Sequence, residues 1–257
     1  MTRAMTIRDD LKTAGLLAGA FAALGAATVP LLLPMAPPGA RELPLPVPLF
    51  SLVLALQILV VYGLLALAGL RLARRRGLEP APLLSALWIG RRPGPVVRPL
   101  AIALGIGLAC GLFLVATIVL IQRLAPRTLP QTLHPPSFGA ALLASAAASI
   151  GEEILCRLFL LSVLLRILPA SRAGVAAAIG LSALAFAALH APGWVFLFGG
   201  LRGVPPASWI WLIGLNGLVG TAFALLYLRF GIGGAVAGHF GTDLVWHALS
   251  HLWSGGL

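Results

Sequence analysis

Residues 151–157 read Gly-Glu-Glu-Ile-Leu-Cys-Arg and place two adjacent carboxylates and an arginine inside a run of apolar residues. A charged side chain at the centre of a bilayer costs from about 2.5 kcal/mol on insertion scales to several times more in simulations. Two adjacent carboxylates also repel each other, so one of them needs a cationic partner or a bound proton. Such a costly arrangement inside a membrane span indicates a functional site.

The composition predicts an all-α protein of the membrane, a polytopic bundle of transmembrane helices. Of the 257 residues 60% are hydrophobic and only 10% are charged, whereas soluble domains carry roughly 25% charged residues. The net charge of +11 does not indicate nucleic acid, because the basic residues lie in short segments between apolar runs and do not alternate with aromatic residues. The expected partner is therefore the lipid bilayer, and nucleic acid is not expected.

The apolar runs predict about seven spans, or eight if the region around Trp194 also crosses the membrane. The predicted spans are residues 13–33, 49–70, 99–121, 138–168, 173–190, 207–228 and 232–253. Between the fifth and sixth, the short apolar run 194–198 is typical of a re-entrant or interfacial piece. The sequence shows no internal repeat, which counts against a transporter built from inverted repeats.

The basic residues predict the orientation. With seven spans, one side would carry the larger group: Arg3, Arg8, Lys12, the arginines between 71 and 98, Arg166, Arg172 and Arg229. The other side would carry Arg41, Arg123, Arg127 and Arg202. The positive-inside rule therefore predicts a multi-pass protein of the cell (plasma) membrane with its N-terminus in the cytoplasm.

The acidic residues divide into two groups. Four of them are expected in loops or in the N-terminal tail: Asp9, Asp10, Glu42 and Glu79. The other three, Glu152, Glu153 and Asp243, fall in apolar runs, as do most histidines. Because ionisable groups are costly in a span, their concentration in the second half of the chain predicts a site there.

Helical spacing sorts these groups further. Glu153 and Arg157 stand at i and i+4, so they share one helix face and can pair. That pair is either a structural ion pair or part of a functional site, and both readings stay open. Glu152 is rotated by about 100° from Glu153, so it has no local partner and is free for chemistry.

The histidines belong to two segments. His190 ends the fifth run, where it is either an interfacial residue or the partner of another catalytic group. His239 and Asp243 stand at i and i+4, which favours metal or proton chemistry. His247 and His251 extend the same ridge toward the membrane edge and are not expected to be catalytic.

The two cysteines, Cys110 and Cys156, lie in separate apolar runs. Neither a disulfide nor a zinc-binding spacing is expected from them.

Three motifs follow one another on successive segments: Glu152-Glu153-x-x-x-Arg157, Phe186-x-x-x-His190 and His239-x-x-x-Asp243. In this order they resemble the CPBP family, the CAAX-prenyl endoprotease and bacteriocin-processing (Abi) intramembrane proteases. The run Tyr227-Leu-Arg229-x-Gly231 resembles the family's lead-in to its last motif. The resemblance covers residues 138–255, the expected catalytic membrane helices, and leaves residues 1–130 as generic membrane helices.

The resemblance implies an intramembrane endopeptidase in which Glu152 and His190 activate a water molecule. His239 and Asp243 would stabilise the oxyanion or bind a metal, and Glu153 with Arg157 would complete the catalytic set. Members are described both as metalloproteases and as glutamate proteases, so a divalent metal such as zinc on Glu152, His190 and His239 is an open expectation. The implied substrate is a membrane-associated protein or peptide, prenylated or not, reaching the site from the cytoplasmic side or laterally.

One residue departs from the family pattern, because the last motif often ends in Asn where this chain has Asp243. An ionised carboxylate would repel an oxyanion, so Asp243 must be protonated, paired with His239 or bound to metal. Two other classes of protein stay open. One is a divalent-cation or proton transporter that uses the same Glu/His/Asp cluster, and the other is a non-catalytic scaffold or immunity protein.

Overall fold

The computed structural model describes residues 5–35, 41–90, 94–125, 128 and 137–249. The predictions that involve Arg3, Arg91, Arg92, Arg127 and His251 lie outside these residues. The described part of the chain is helical and contains no strand, so the predicted all-α class is confirmed.

Nine α-helices and one π-helix make up this described part, in an order that follows the predicted runs. They are α1 (Ile7–Leu32), α2 (Val47–Arg74), α3 (Pro82–Trp88), α4 (Gly94–Leu124), α5 (Phe138–Glu153), the π-helix (Ile154–Leu161), α6 (Ser162–Ile167), α7 (Arg172–Leu189), α8 (Ala191–Leu197) and α9 (Pro206–Leu249). Short 3₁₀ turns occupy Leu33–Met35 and Leu201–Gly203.

The helices account for about seven membrane crossings. Five units are long and apolar enough to cross a membrane, namely α1, α2, α4, the α7–α8 unit and α9. The α5 helix, the π-helix and α6 form one further segment, because Ile154 and Ser162 at their junctions keep helical backbone angles. The α9 helix bends at Gly231, where φ is 72° and ψ is −170°, and so supplies two crossings, residues 206–230 and 232–249.

The α8 helix does not add an eighth crossing. Its seven residues rise by about 10 Å at 1.5 Å per residue, against a hydrocarbon core of about 30 Å. A helix of this length in this position fits the predicted re-entrant or interfacial piece.

The first helix begins earlier than predicted. Thr6 and Asp9 form a capping box in which each side chain bonds the other residue's backbone N–H, a motif that starts a helix. Asp9 and Asp10 are therefore in α1 and are buried, so their placement in the N-terminal tail was wrong. Burial of Asp10 is offset by the guanidinium of Arg74, whose Nε lies 2.8 Å from its Oδ1.

The basic segments gather at one end of the bundle, which we call the basic end. Arg74 of α2 binds Asp10 of α1, and Arg76 donates to the carbonyl of Leu168, just after α6, at 3.0 Å. The backbone N–H of Ile232, just after the α9 bend, donates to the carbonyl of Pro80 at 2.7 Å. The basic end thus joins the start of α1, the end of α2, α3, the end of α6, the start of α7 and the bend of α9.

The core is formed where the second half of the chain packs on the first. The α9 helix packs on α4, α7 and α5, while α1 packs on α2 and α5, and α2 packs on the π-helix. Leu70, Ile154, Leu158 and Leu161 are fully buried in this core. The α2 helix turns Leu56, Val60 and other apolar side chains outward, which is the expected face toward lipid.

Candidate active site

The glutamate pair lies where an α-helix changes into a π-helix. The α5 helix ends at Glu153, and the π-helix runs from Ile154 to Leu161. The hydroxyl of Ser182, on α7, donates to the carbonyl of Cys156 at 2.7 Å and ties the π-helix to its neighbour. Such π-helical turns are rare and occur frequently at functional sites.

Glu153 and Arg157 form a fully buried ion pair. Their side chains have no exposed surface, and Arg157 Nη1 lies 3.0 Å from Glu153 Oε1. Arg157 Nη2 donates to the carbonyl of Gly220 on α9 at 2.9 Å, and the guanidinium lies 4.3 Å from the ring centroid of Phe186 on α7. The i and i+4 spacing predicted this pair, and the contacts of Arg157 link it to α7 and α9.

His239 continues this chain of polar groups. Its Nδ1 lies 3.0 Å from Glu153 Oε1, so that one carboxylate oxygen is in contact with both the imidazole and the guanidinium of Arg157. The ring stacks on Phe223 with a centroid distance of 4.8 Å. Its Nε2 lies 3.7 Å from Asp243 Oδ2, within ion-pair distance but too long for a hydrogen bond. The four groups run in the order Arg157, Glu153, His239, Asp243.

His190 follows the last residue of α7 and presents one basic nitrogen. Its Nδ1 lies 3.0 Å from the carbonyl oxygen of Phe186. Because a carbonyl can only accept, Nδ1 carries the proton in the neutral ring and Nε2 holds the free lone pair. The hydrogen bond thus selects the tautomer of a potential general base.

A polar cavity of about 190 Å³ joins His190 to Asp243. Its lining is Leu114, Ile118, His190, Trp194, Trp211, Leu215, Asn216, Thr242, Asp243 and Trp246. The residues come from α4, from α8, from His190 between α7 and α8, and from the two arms of α9, which are residues 206–230 before the bend and 232–249 after it. The cavity therefore exists only in the assembled bundle.

Glu152 lies apart from this cavity. It is half-buried, and its Oε2 is closed off from solvent without a hydrogen-bond partner. No hydrogen bond or ion pair joins it to His190 among the residues that the structure describes. The structure thus brings Glu153, Arg157 and His239 together and places His190 with Asp243, but it leaves Glu152 unpaired.

The expected metal ligands do not converge. Within the described ranges, no group of three or more His, Cys, Asp or Glu side chains is arranged to hold a metal ion. The Nδ1 atoms of His190 and His239 are engaged by the Phe186 carbonyl and by Glu153, so only their Nε2 atoms could ligate a metal. The three expected ligands are not gathered around one point among the described residues, and the metal stays a prediction.

Asn216 is a cavity residue that motif spacing does not reveal. It is the only asparagine of the chain, and its Nδ2 donates one hydrogen to the carbonyl of Leu212 at 2.9 Å. An amide nitrogen carries two hydrogens, so one remains for the cavity. Its position in the middle of an apolar run is a signal that the sequence contained, since polar groups in spans mark functional sites.

The cysteines do not form a nucleophilic site. Both are free, with Cys156 buried and Cys110 half-buried, as predicted. Cys156 packs among apolar residues such as Phe186 and Phe223, and a buried thiol in such surroundings is inert.

Comparison with protein families identifies the second half of the chain. Residues 134–245 match the family described as type II CAAX prenyl endopeptidase, Rce1-like. This segment is similar to the Rce1-like domain, in line with the CPBP resemblance, and it includes Glu152, Glu153, Arg157, His190, His239 and Asp243. Neither a curated protein nor a solved structure matches the chain. The similarity to this family indicates a protease. The long apolar helices indicate a multi-pass membrane protein.

Proposed function

We propose that this protein is an intramembrane endopeptidase that hydrolyses a peptide bond of a membrane-associated protein or peptide. The observation that carries the proposal is the polar cavity, where the free Nε2 of His190 and the carboxyl of Asp243 meet inside an apolar bundle. Asp243 also stands at the end of the buried chain from Arg157 through Glu153 and His239. A polar space of this kind can hold the water and the peptide that hydrolysis needs.

Water activation is assigned to Glu152 and His190. The carboxylate of Glu152 has an oxygen without a partner, and His190 has a basic nitrogen. Catalytic hydrogen bonds are often long or unformed before substrate binds, so the separation of the two groups in the free protein is compatible with shared proton transfer. Glu153 and Arg157 act by positioning His239.

Oxyanion stabilisation is assigned to His239 and to Asp243 in its protonated or His239-paired form, with Asn216 as an additional donor. An ionised Asp243 would repel the developing negative charge, whereas an amide N–H is a neutral donor of the kind used in oxyanion holes. Asn216 lines the same cavity as Asp243. Its amide would thus supply the donor that Asn often supplies at the end of the family's last motif.

The location that fits this function is the cell membrane, with the N-terminus in the cytoplasm. The support is the collection of basic residues at one end of the bundle, since the positive-inside rule assigns such an end to the cytoplasm. Arg71, Arg74, Arg75 and Arg76 close α2 at this end.

The test is cleavage of membrane-anchored and prenylated peptides by the purified protein in detergent, read by mass spectrometry. We expect Glu152→Gln and His190→Ala each to lower the rate by about 10²–10⁴-fold, the range that general acid–base groups contribute. Glu42→Gln, at an exposed position, is the matched control and should cleave normally. Wild-type cleavage rates in both site variants would overturn the assignment of Glu152 and His190 to water activation. Repeating the assay with a chelator tests whether cleavage needs a divalent metal.

The same buried cluster would also suit a proton or divalent-cation transporter, because it places several titratable groups next to one another inside the bundle, and intramembrane ionisable groups mark ion pathways. Flux measurements in proteoliposomes discriminate the two functions. Ion flux without any peptide cleavage would favour the transporter.

A further inference from the structure

The polar cavity lies far from the basic end. His190 is 18 residues beyond Arg172 at the start of α7, a rise of about 27 Å. Trp211 is 19 residues before Phe230 at the α9 bend, or about 28 Å along that arm. Asp243, 12 residues after Gly231, is at about 18 Å. Against a hydrocarbon core of about 30 Å, these residues belong to the half that faces away from the arginines.

The space between the cavity and the basic end is filled. Arg157 and Leu158 have no exposed surface, and Phe223 is only 1% exposed. Leu158 packs in one cluster with Leu70 and Ala81 of the basic end, and the guanidinium of Arg157 lies against Phe223, which stands between Trp211 and Phe230 on α9. These buried side chains obstruct a path for water or peptide from the basic end.

A second cavity, of about 240 Å³, lies near the basic end but has a different lining. Leu16, Pro82, Phe230 and Ile232 are among its walls, and none of its lining residues is titratable. It therefore offers no group for peptide hydrolysis, and it does not provide a polar route to His239.

Tryptophans mark the far side of the polar cavity. Trp194 of α8 and Trp211 at the start of α9 both line it, and tryptophan is enriched where a membrane protein meets the water interface. The indole Nε1 of Trp211 is buried and has no hydrogen-bond partner. It is available to donate to a peptide carbonyl that enters at this level.

We infer that the site acts on the extracytoplasmic side of the membrane. This inference rests on the proposed function and on the cytoplasmic orientation of the basic end. The substrate is then a membrane-anchored peptide or protein whose scissile bond lies in the outer half of the bilayer, rather than the cytosolic carboxyl terminus of a prenylated protein. The substrate reaches the cavity past the tryptophans and not from the cytoplasm.

The first test determines the side of the cavity without reference to proteolysis. Both native cysteines are first removed by Cys110→Ala and Cys156→Ala. Two variants are made in this background: Leu201→Cys, at an exposed position in the turn after α8, and Arg75→Cys, at an exposed position of the basic end. Intact cells are treated with a membrane-impermeant maleimide, and the protein without cysteine is the blank. We expect Leu201→Cys to be labelled in intact cells and Arg75→Cys only after permeabilisation. Any other pattern in intact cells overturns the inference.

The second test uses one reporter in two orientations. A single-span reporter carries the same cleavable segment on either the extracytoplasmic or the cytoplasmic side, with its orientation set by flanking arginines. We expect cleavage of the extracytoplasmic form alone, at least tenfold above the Glu152→Gln variant. Cleavage of only the cytoplasmic form overturns the inference. If neither form is cleaved although Leu201→Cys is labelled from outside, the protease function fails while the side of the cavity is established.

Discussion

Adjacent glutamates on one helix have different environments in this protein. Glu153 is fully buried and lies within ion-pair distance of Arg157 and His239, whereas Glu152 is half-buried and has an oxygen without a hydrogen-bond partner. The difference follows from the helix, because adjacent side chains point about 100° apart. One position faces the buried arginine, and the other has no such counter-charge.

Breaking the buried pair should be costly. In Glu153→Gln the guanidinium of Arg157 loses its counter-charge in a fully buried position, and removal of one partner of such a pair typically costs about 3–5 kcal/mol. We expect a clear fall in the thermal unfolding temperature in detergent. Glu153→Leu combined with Arg157→Leu leaves no uncompensated charge and should recover part of the loss. Equal stability of the wild type and Glu153→Gln would show that the pair is not held as described.

Asn216 should matter for turnover more than for folding. Asn216→Leu removes the amide from the cavity, and the loss of one oxyanion donor typically lowers kcat by about 10²–10³-fold. Because its side chain bonds Leu212 within the same helix, the unfolding temperature should change little. The measurement is kcat and KM for a cleaved peptide beside a thermal unfolding curve. A normal kcat, or a loss explained by unfolding, would remove Asn216 from the oxyanion site.

Helix packing depends on places where two backbones approach closely. A Cβ on Gly107 of α4 would overlap the carbonyl oxygen of Gly238 on α9, whereas a Cβ on Gly105 would meet nothing within 4 Å. Small residues at such crossings let helices pack closely in membranes. The α4–α9 contact is therefore determined by glycine, and α9 also carries His239 and Asp243.

Two glycines on one helix test this contact. Gly107→Ala should separate α4 from α9 and lower both the unfolding temperature and the cleavage rate, since overpacking typically costs about 1–3 kcal/mol. Gly105→Ala, on the same helix, should be neutral or slightly stabilising because alanine is the better helix former. Similar behaviour of the two variants would contradict the described crossing.

The two halves of the molecule share one core. The predicted division into residues 1–130 and 138–255 separates the family-like segment from the generic helices, yet α4 of the first part packs on α9 of the second, and α1 packs on α5. The generic helices therefore support the site by covering apolar surface and by closing the cavity with Leu114 and Ile118.

Expression in two pieces tests this dependence. We expect residues 131–257 alone to be recovered poorly and to be inactive, because α9 lacks its α4 partner. Co-expression with residues 1–130 should restore a complex with measurable cleavage, as the break lies between helices. The readout is co-purification through a tag on one piece, followed by the peptide assay. Full activity of the isolated second half would show that it folds independently.

Several features could be predicted from local patterns. Apolar runs located the crossings, because a span needs about 20 apolar residues. The i and i+4 spacing predicted the Glu153–Arg157 pair, since the helical period brings these positions to one face. The Thr6-x-x-Asp9 pattern of a capping box is also present in the sequence, and it places Asp9 and Asp10 in the first helix rather than in the N-terminal tail.

Other features depended on how distant segments pack. The contact between His239 and Glu153 joins positions 86 residues apart, and no local period specifies it. The cavity that holds His190, Asn216 and Asp243 likewise requires the bend at Gly231 and the crossing at Gly107. Hydropathy and helical period thus determined from the sequence which segments cross the membrane and which polar groups they carry. The rotation and close approach of the packed helices decided which of those groups meet, because these depend on side-chain shape across the whole bundle.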